Sequence, residues 1–313
     1  MSRPRVELEN HEAVYDFYDG YHPSMAGARF GHAVLSRVYP VTLDFAEGAR
    51  SDIRSLSAEG ARFGIGSNHL SDRDQFLLAS FVTEDEVLAF LMGHTRIPAK
   101  EAIQNAPIPG ILRETVRRGA DMMGSVPAFR VKDRFEGVER QDRDPEQVSL
   151  QQASSEGLKR VLVHGLAEGG HMVSFDEGER NRVNLLKVQQ LKKGRVDIDQ
   201  ALREIDPSID LVTLPMGMYY PQSVEAGKLK LHYRRPVVHV GRPLTERIDT
   251  LGKLETVLRP ALQANLDAAV EMVKERDGEK AVLPEVELVY ILRVMAEERR
   301  RKKFEKRDLA AAA

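Results

Sequence analysis

Between Gly66 and Phe76 the chain reads GSNHLSDRDQF, which sets Asn68, His69, Ser71, Asp72 and Asp74 between apolar flanks. An imidazole beside a carboxylate is general-base chemistry. The carboxylate holds one ring nitrogen, and the other is left to take a proton from an alcohol without a serine nucleophile. His69 and Asp74 lie five residues apart, so on a continuous helix they would project about 140° apart and could not pair. Pairing needs His69 in a loop and Asp74 in the first helical turn. The same letters also spell a helix start. Ser71 followed three residues later by Asp74 is an acidic capping box, and both Asp residues suit the positive end of a helix. Capping accounts for Ser71, Asp72 and Asp74 but not for Asn68-His69.

Three further segments carry candidate chemistry. In FDEGERN (Phe175–Asn181), Glu177 can accept a hydrogen bond from a polyol, Gly178 permits close backbone approach, and Arg180 can grip a phosphate bidentately. The structural alternative is a charged turn after a strand. In VPAFRVKDR (Val126–Arg134), Arg130 falls in or near an apolar strand, as a phosphate ligand or as an edge residue with its charge in solvent. In LVTLPMG (Leu211–Gly217), Pro215 interrupts a strand-like run, which points to an edge, a bulge or a strand end. Gly64 and Gly66 do not make a dinucleotide fingerprint, because His69 stands at the third glycine position.

These residues need elements to hold them. Runs of strand-forming residues predict strands at Pro40–Phe45, Val126–Val131, His171–Phe175 and Asp210–Tyr220, with Lys228–Tyr233 and Pro236–Val240 as a pair, and Phe63–Ile65 reads as a short apolar lead into the histidine segment. Helices are predicted from Ser71 to Val82, Thr83 to Met92, Pro109 to Ala120, Ser155 to Ala167, Asn184 to Leu191 and Ile198 to Ile205. They continue through 245–277, with a boundary or kink at Pro260, and over 284–306. Strands alternating with helices predict an α/β fold with a central mixed sheet flanked by helices. Residues 1–36 read as a helical N-terminal addition, 37–283 as the main domain, and 284–313 as a basic C-terminal helix and tail.

Composition removes several classes. The 313 residues include 46 Lys and Arg against 48 Asp and Glu, a net charge of -2 that gives no general drive toward nucleic acid. The absence of cysteine rules out disulfides, thiolate metal sites and a cysteine nucleophile, and fits a reducing, cytoplasmic setting. No apolar stretch approaches the roughly 20 residues of a membrane span, and the opening MSRPRVELENHEAVYDF lacks a secretory apolar segment. A soluble or peripherally membrane-bound protein is expected.

In this order and spacing, the four segments resemble the phospholipid/glycerol acyltransferase family, over about residues 37–270. Asn68, His69, Ser71 and Asp74 match its Asn-His-x-Ser-x-x-Asp block, and Arg130 its strand-borne arginine. Phe175, Glu177, Gly178 and Arg180 match its Phe-Pro-Glu-Gly-Thr-Arg-Ser segment, and Pro215 its apolar strand ending in Pro. The chain departs from the third motif at Asp176, Glu179 and Asn181, and the two added acids oppose anion binding unless they point elsewhere. The resemblance implies a glycerol-phosphate-acyltransferase-like fold. It also implies transfer of a fatty acyl group from acyl-CoA or acyl carrier protein to the hydroxyl of a glycerol-phosphate or lysophospholipid acceptor. His69 would be the base and Asp74 its partner. Arg130, Glu177, Gly178 and Arg180 would position the acceptor, with Asn68, Ser71 and Pro215 in support, and no metal would be required. Two rivals stand beside it. One is a metal-dependent hydrolase using His69, Asp72, Asp74 and His94. The other is a non-catalytic lipid-surface protein, in which the basic run RRRKKFEKR (Arg299–Arg307) meets anionic lipid.

Overall fold

The computed structural model describes residues 3–71, 73–100, 110–129, 142–226 and 228–312. In chain order, α1 (His11–Asp19) and α2 (Met25–Val38) precede β1 (Thr42–Phe45), α3 (Ala49–Ala58), β2 (Arg62–Ser67) and α4 (Asp74–Ser80). There follow β3 (Thr95–Lys100), α5 (Gly110–Met122), β4 (Ser125–Ala128), α6 (Pro145–Ala167), β5 (His171–Phe175) and α7 (Gly194–Ile205). The chain ends with β6 (Leu211–Tyr219), β7 (Gln222–Glu225), β8 (Lys228–Leu231), β9 (Val237–Val240), α8 (Arg259–Asp277) and α9 (Glu285–Ala312).

Seven strands form one sheet in the order β1-β9-β6-β2-β5-β3-β4, parallel throughout except where β6 meets β9. The protein is thus α/β, with a mostly parallel central sheet flanked by helices. β2, β5 and β6 occupy the middle, side by side. Their sequences are correspondingly apolar on both faces, as strands covered on both sides must be; every residue of β6 is buried. The main core joins the sheet to α3, α4 and α8, and a smaller cluster joins α6, α7 and the start of β5 and β6. Val6, Leu8, Val14, Tyr15 and Tyr18 from the N-terminal segment share a third cluster with Val126, Phe129 and Val161.

Several sequence expectations are corrected. Pro215 lies in a central strand, paired with Gly66 on β2, and not at an edge. On its other side it falls where β9 has ended: Gly241 N–H donates to the Pro215 carbonyl at 2.9 Å, and the missing proline N–H forgoes only the return bond. The stretch Asn184–Leu191 is not helical. Side chains take its backbone donors in place of carbonyls four residues back. Leu186 donates to Asn184 Oδ1, Val188 to Gln263 Oε1, Gln189 to Glu177 Oε1 and Leu191 to Glu255 Oε1. The strands at Lys228 and Val237 do not pair with each other. β8 closes a hairpin with β7 around Ala226, whose φ is 50°, and β9 inserts between β1 and β6. The predicted helix Thr83–Met92 is a 3-10 segment, Glu86–Leu91, begun by Asp85 accepting from Val87 N–H. α6 starts about ten residues earlier than its apolar spacing indicates, at Pro145, behind an Asp144 cap. Before α8, a π turn (Leu254–Leu258) runs directly into Pro260, which gives the expected irregularity its form.

Candidate functional site

The loops that carry His69, Glu177 and Tyr220 leave the carboxyl ends of the three central strands, where open α/β sheets form crevices. β2 ends at Ser67, paired with Met216 of β6. Asn68 then extends that ladder with its side chain, donating Nδ2–H to the Met218 carbonyl at 3.0 Å and accepting Met218 N–H at 2.8 Å. The amide acts as one more strand residue while the main chain turns away. His69 follows, and both of its backbone polar groups are claimed by the loop after β5. Its N–H donates to Glu177 Oε2 at 2.7 Å, and its carbonyl accepts Asn181 N–H at 2.6 Å. The imidazole lies on the Phe175 ring, centroids 4.2 Å apart and planes 21° apart.

With the backbone fixed, the ring reaches Asp74: His69 Nδ1 and Asp74 Oδ2 are 2.9 Å apart. The two sequence readings of Asp74 merge here. The same Oδ2 accepts Leu70 N–H at 2.6 Å and Ser71 N–H at 2.8 Å, the latter being the return half of a capping box. The forward half is absent. Ser71 Oγ accepts from Arg73 N–H, and α4 begins only at Asp74. The other oxygen, Oδ1, accepts the Tyr220 hydroxyl at 2.6 Å, from just beyond β6. Burial and the Asp74 charge together push the Tyr220 phenol well up, so it stays a proton donor in this bond. Asp74 is fully buried, and its two oxygens meet four hydrogen-bond donors, as a buried polar group requires. In the tautomer that donates Nδ1–H to Asp74, Nε2 holds the lone pair that a base requires.

Glu177 is almost wholly buried and spends both oxygens on backbone amides, His69 N–H and Gln189 N–H, each at 2.7 Å. It ties two loops together and is not an open acceptor for a polyol. Burial raises its pKa to about 7, helped by the charges of Asp74 and Asp176 and opposed by the two amide donors. Gly178 has φ of 70°, and a Cβ there would lie 2.7 Å from Lys192 Cγ, so its close approach is to Lys192. Asn181 receives Gln189 Nε2–H at 2.6 Å and caps the turn at Val183 and Asn184.

Asp176, one of the departures from the acyltransferase pattern, points inward. Ser174 Oγ donates to it at 2.9 Å, and the guanidinium of the buried Arg195 on α7 opposes the upward push of burial on its pKa. Gly64 and Gly66 make the room: a Cβ at Gly64 would sit 2.1 Å from the Arg195 guanidinium, and one at Gly66 2.6 Å from Asp176 Oδ2. Arg195 also donates to the Gly64 carbonyl and to Thr213 Oγ1, at 3.0 and 2.8 Å. The two glycines that fail as a dinucleotide motif thus leave the room that the buried Arg195 guanidinium and Asp176 carboxyl occupy.

A cavity of about 490 Å³ opens beside the histidine loop. Leu70, Ser71, Arg180 and Asn181 form its inner wall. Arg130 and Asp72 lie outside the described residues. Of the remaining proposed metal ligands, Asp74 already has hydrogen-bond donors on both oxygens. His94 sits before β3, level with the start of β5, at the opposite end of the sheet from His69. Among the described residues no group of three or more acidic or histidine side chains could hold a metal ion.

Phe175, Tyr220, Gln189 and Arg195 are site residues that sequence reasoning did not assign. Arg195 had a signal, since it shares the inner face of α7 with Ile198 and Leu202, where an apolar residue is expected. Gln189 had none. No family model and no curated protein matches this chain.

Proposed function

We propose that this protein is an O-acyltransferase of the glycerol-phosphate acyltransferase type. It would move a fatty acyl group from a thioester, acyl-CoA or acyl carrier protein, to the hydroxyl of a glycerol-phosphate or lysophospholipid acceptor. The observation that carries the reading is the His69–Asp74 contact of 2.9 Å beside the cavity. His69 Nε2 takes the proton of the acceptor hydroxyl as that oxygen bonds to the thioester carbonyl carbon. The tetrahedral adduct then collapses, the C–S bond breaks, and the proton passes to the departing thiolate. Asp74 holds the ring and stabilises its charged form. Arg180 faces the acceptor's phosphate, while Glu177, Gly178 and Asn68 shape the loops around the histidine. The sheet with its motif loops, residues 37–283, is the acyltransferase domain, extended by helices at both ends.

Peripheral contact with a membrane fits this substrate. No described helix is long and apolar enough to cross a bilayer. On α2, Ala28 and His32 face inward, whereas Phe30, Val34 and Val38 are exposed at 68%, 43% and 54%, one turn apart, with Arg29 and Arg37 beside them. An apolar stripe edged with arginines suits an anionic lipid surface.

The test is His69→Ala on purified protein. Acyl transfer should fall by roughly 10²–10⁴-fold, the usual weight of a general base, with the far-UV spectrum unchanged. Near-normal turnover would end the proposal.

A further inference from the structure

Apart from Arg73 of the first motif segment, the outer wall of the cavity is supplied by elements that none of the four motif segments contains. Lys230 comes from β8 and Arg182 from the loop after Asn181. Arg73 lies over the Tyr233 ring, 4.3 Å from its centroid. The rest comes from the C-terminal helix. Leu292, Met295 and Arg299 on α9 follow one another at three and four residues, so one face of the helix presents two apolar side chains and then a cation to the cavity. That face is anchored. Leu288 and Leu292 are buried in the main core, and Asn184 Nδ2 donates to Glu285 Oε1 at 2.8 Å, which joins the first turn of α9 to the loop behind Asn181.

Charge is uneven here. Arg73, Arg180, Arg182, Lys230 and Arg299 line the cavity, and no Asp or Glu lines it among the described residues. Lys230 has Glu225 as a neighbour on β7, but that pair is exposed and weakly held. Leu70, Leu185, Leu229 and Leu231 complete an apolar lining. A cationic rim over apolar walls recognises a phosphate carried on a partly apolar molecule.

We propose that α9 and the β7–β8 hairpin form a phosphate subsite of the substrate pocket, with Arg299 and Lys230 as ligands contributed from outside the motif loops. Its substrate class rests on the acyl-transfer reading; the cation cluster does not. The same phosphate chemistry is offered by a glycerol-phosphate acceptor and by the coenzyme of an acyl-CoA donor.

The experiment is calorimetric titration of the full-length His69→Ala protein, which binds without turnover, with glycerol 3-phosphate, glycerol, CoA and pantetheine. Arg299→Glu and Lys230→Glu are introduced separately, with Arg299→Lys as the conservative control. Both side chains are exposed, so melting temperatures should not move. The phosphorylated member of one pair should bind, and Arg299→Glu should weaken it on the order of tenfold or more, with Arg299→Lys recovering most of the loss. A loss confined to glycerol 3-phosphate assigns the subsite to the acceptor, and a loss confined to CoA assigns it to the donor. If neither phosphorylated compound binds, or both bind equally well to the charge-reversed variants, the subsite is overturned. Phosphate-dependent binding by a protein that transfers no acyl group sinks the catalytic reading and leaves the subsite standing.

Discussion

Asp74→Asn separates charge from geometry at the centre of the site. An asparagine with its oxygen in the place of Oδ2 can still accept the Leu70 and Ser71 amides and His69 Nδ1–H. Its amide nitrogen, in the place of Oδ1, can donate to the Tyr220 oxygen. The loop therefore keeps its shape. What disappears is a negative charge 2.9 Å from the ring nitrogen, at the moment the ring becomes a cation. At an effective dielectric of about 20 that attraction is about 6 kcal/mol, an upper limit because the surroundings relax. At 1.36 kcal/mol per decade, the ceiling is roughly 10⁴-fold in kcat. We expect kcat for acyl transfer to fall roughly 10²–10⁴-fold with KM little changed. Stability should fall by only about 1–2 kcal/mol, as charged acceptor bonds become neutral ones. Thioester consumption with product mass spectrometry reads the first quantity, and urea unfolding the second. If Asp74→Asn costs stability but leaves kcat within a few-fold of wild type, Asp74 is a cap and the assignment of His69 as its partnered base is wrong.

Two further outcomes follow from other parts of the molecule. Glu177 should titrate in the folded protein near 7, where burial has pushed it, against about 4.3 in the unfolded chain. Between those values the folded state binds more protons, so the contribution is complete below the unfolded pKa and is lost as pH rises through about 7. The stability of wild type relative to Glu177→Gln should therefore decline by about 3 kcal/mol from pH 4 to pH 8, and urea midpoints showing a constant difference would contradict this. On α2, Phe30→Glu with Val34→Glu should reduce cosedimentation with anionic vesicles without altering the melting temperature; undiminished sedimentation would remove α2 as the membrane face.

The His69–Asp74 contact was legible in the sequence where unusual residues stand at a fixed spacing. Asn68, His69 and Asp74 announced themselves because a capping explanation left the first two over. β5 and β6 were legible because burial on both faces leaves apolar runs, whereas β2, with Gly64 and Gly66 in it, read only as a short apolar lead. Other features were hidden for physical reasons. Asn184–Leu191 has helical composition, but its amides are captured by Gln263, Glu255 and Glu177, each 12 or more residues from the amide it accepts, and local patterns do not register such partners. Pro215 read as an edge signal because the sequence does not say that the neighbouring strand ends beside it. Gly64 and Gly66 read as a failed nucleotide motif because the side chains that need their space, Arg195 and Asp176, are remote.

Asp176 bears most directly on what the cavity can bind. Two extra acids in the loop after β5 appear, on the sequence, to argue against a phosphate. Their effect depends on direction, and Asp176 turns away from the cavity into the sheet, toward Arg195. Asp176 is not among the residues that line the cavity, where Arg73, Arg180, Arg182, Lys230 and Arg299 stand and no Asp or Glu is among the described lining residues. The same inward turn fixes the backbone at the residue before Glu177, and Glu177 in turn holds the His69 amide. Asp176 thus helps to hold the loop that holds the histidine: it takes the Ser174 hydroxyl over the space left by Gly66, with the Arg195 charge nearby in the core.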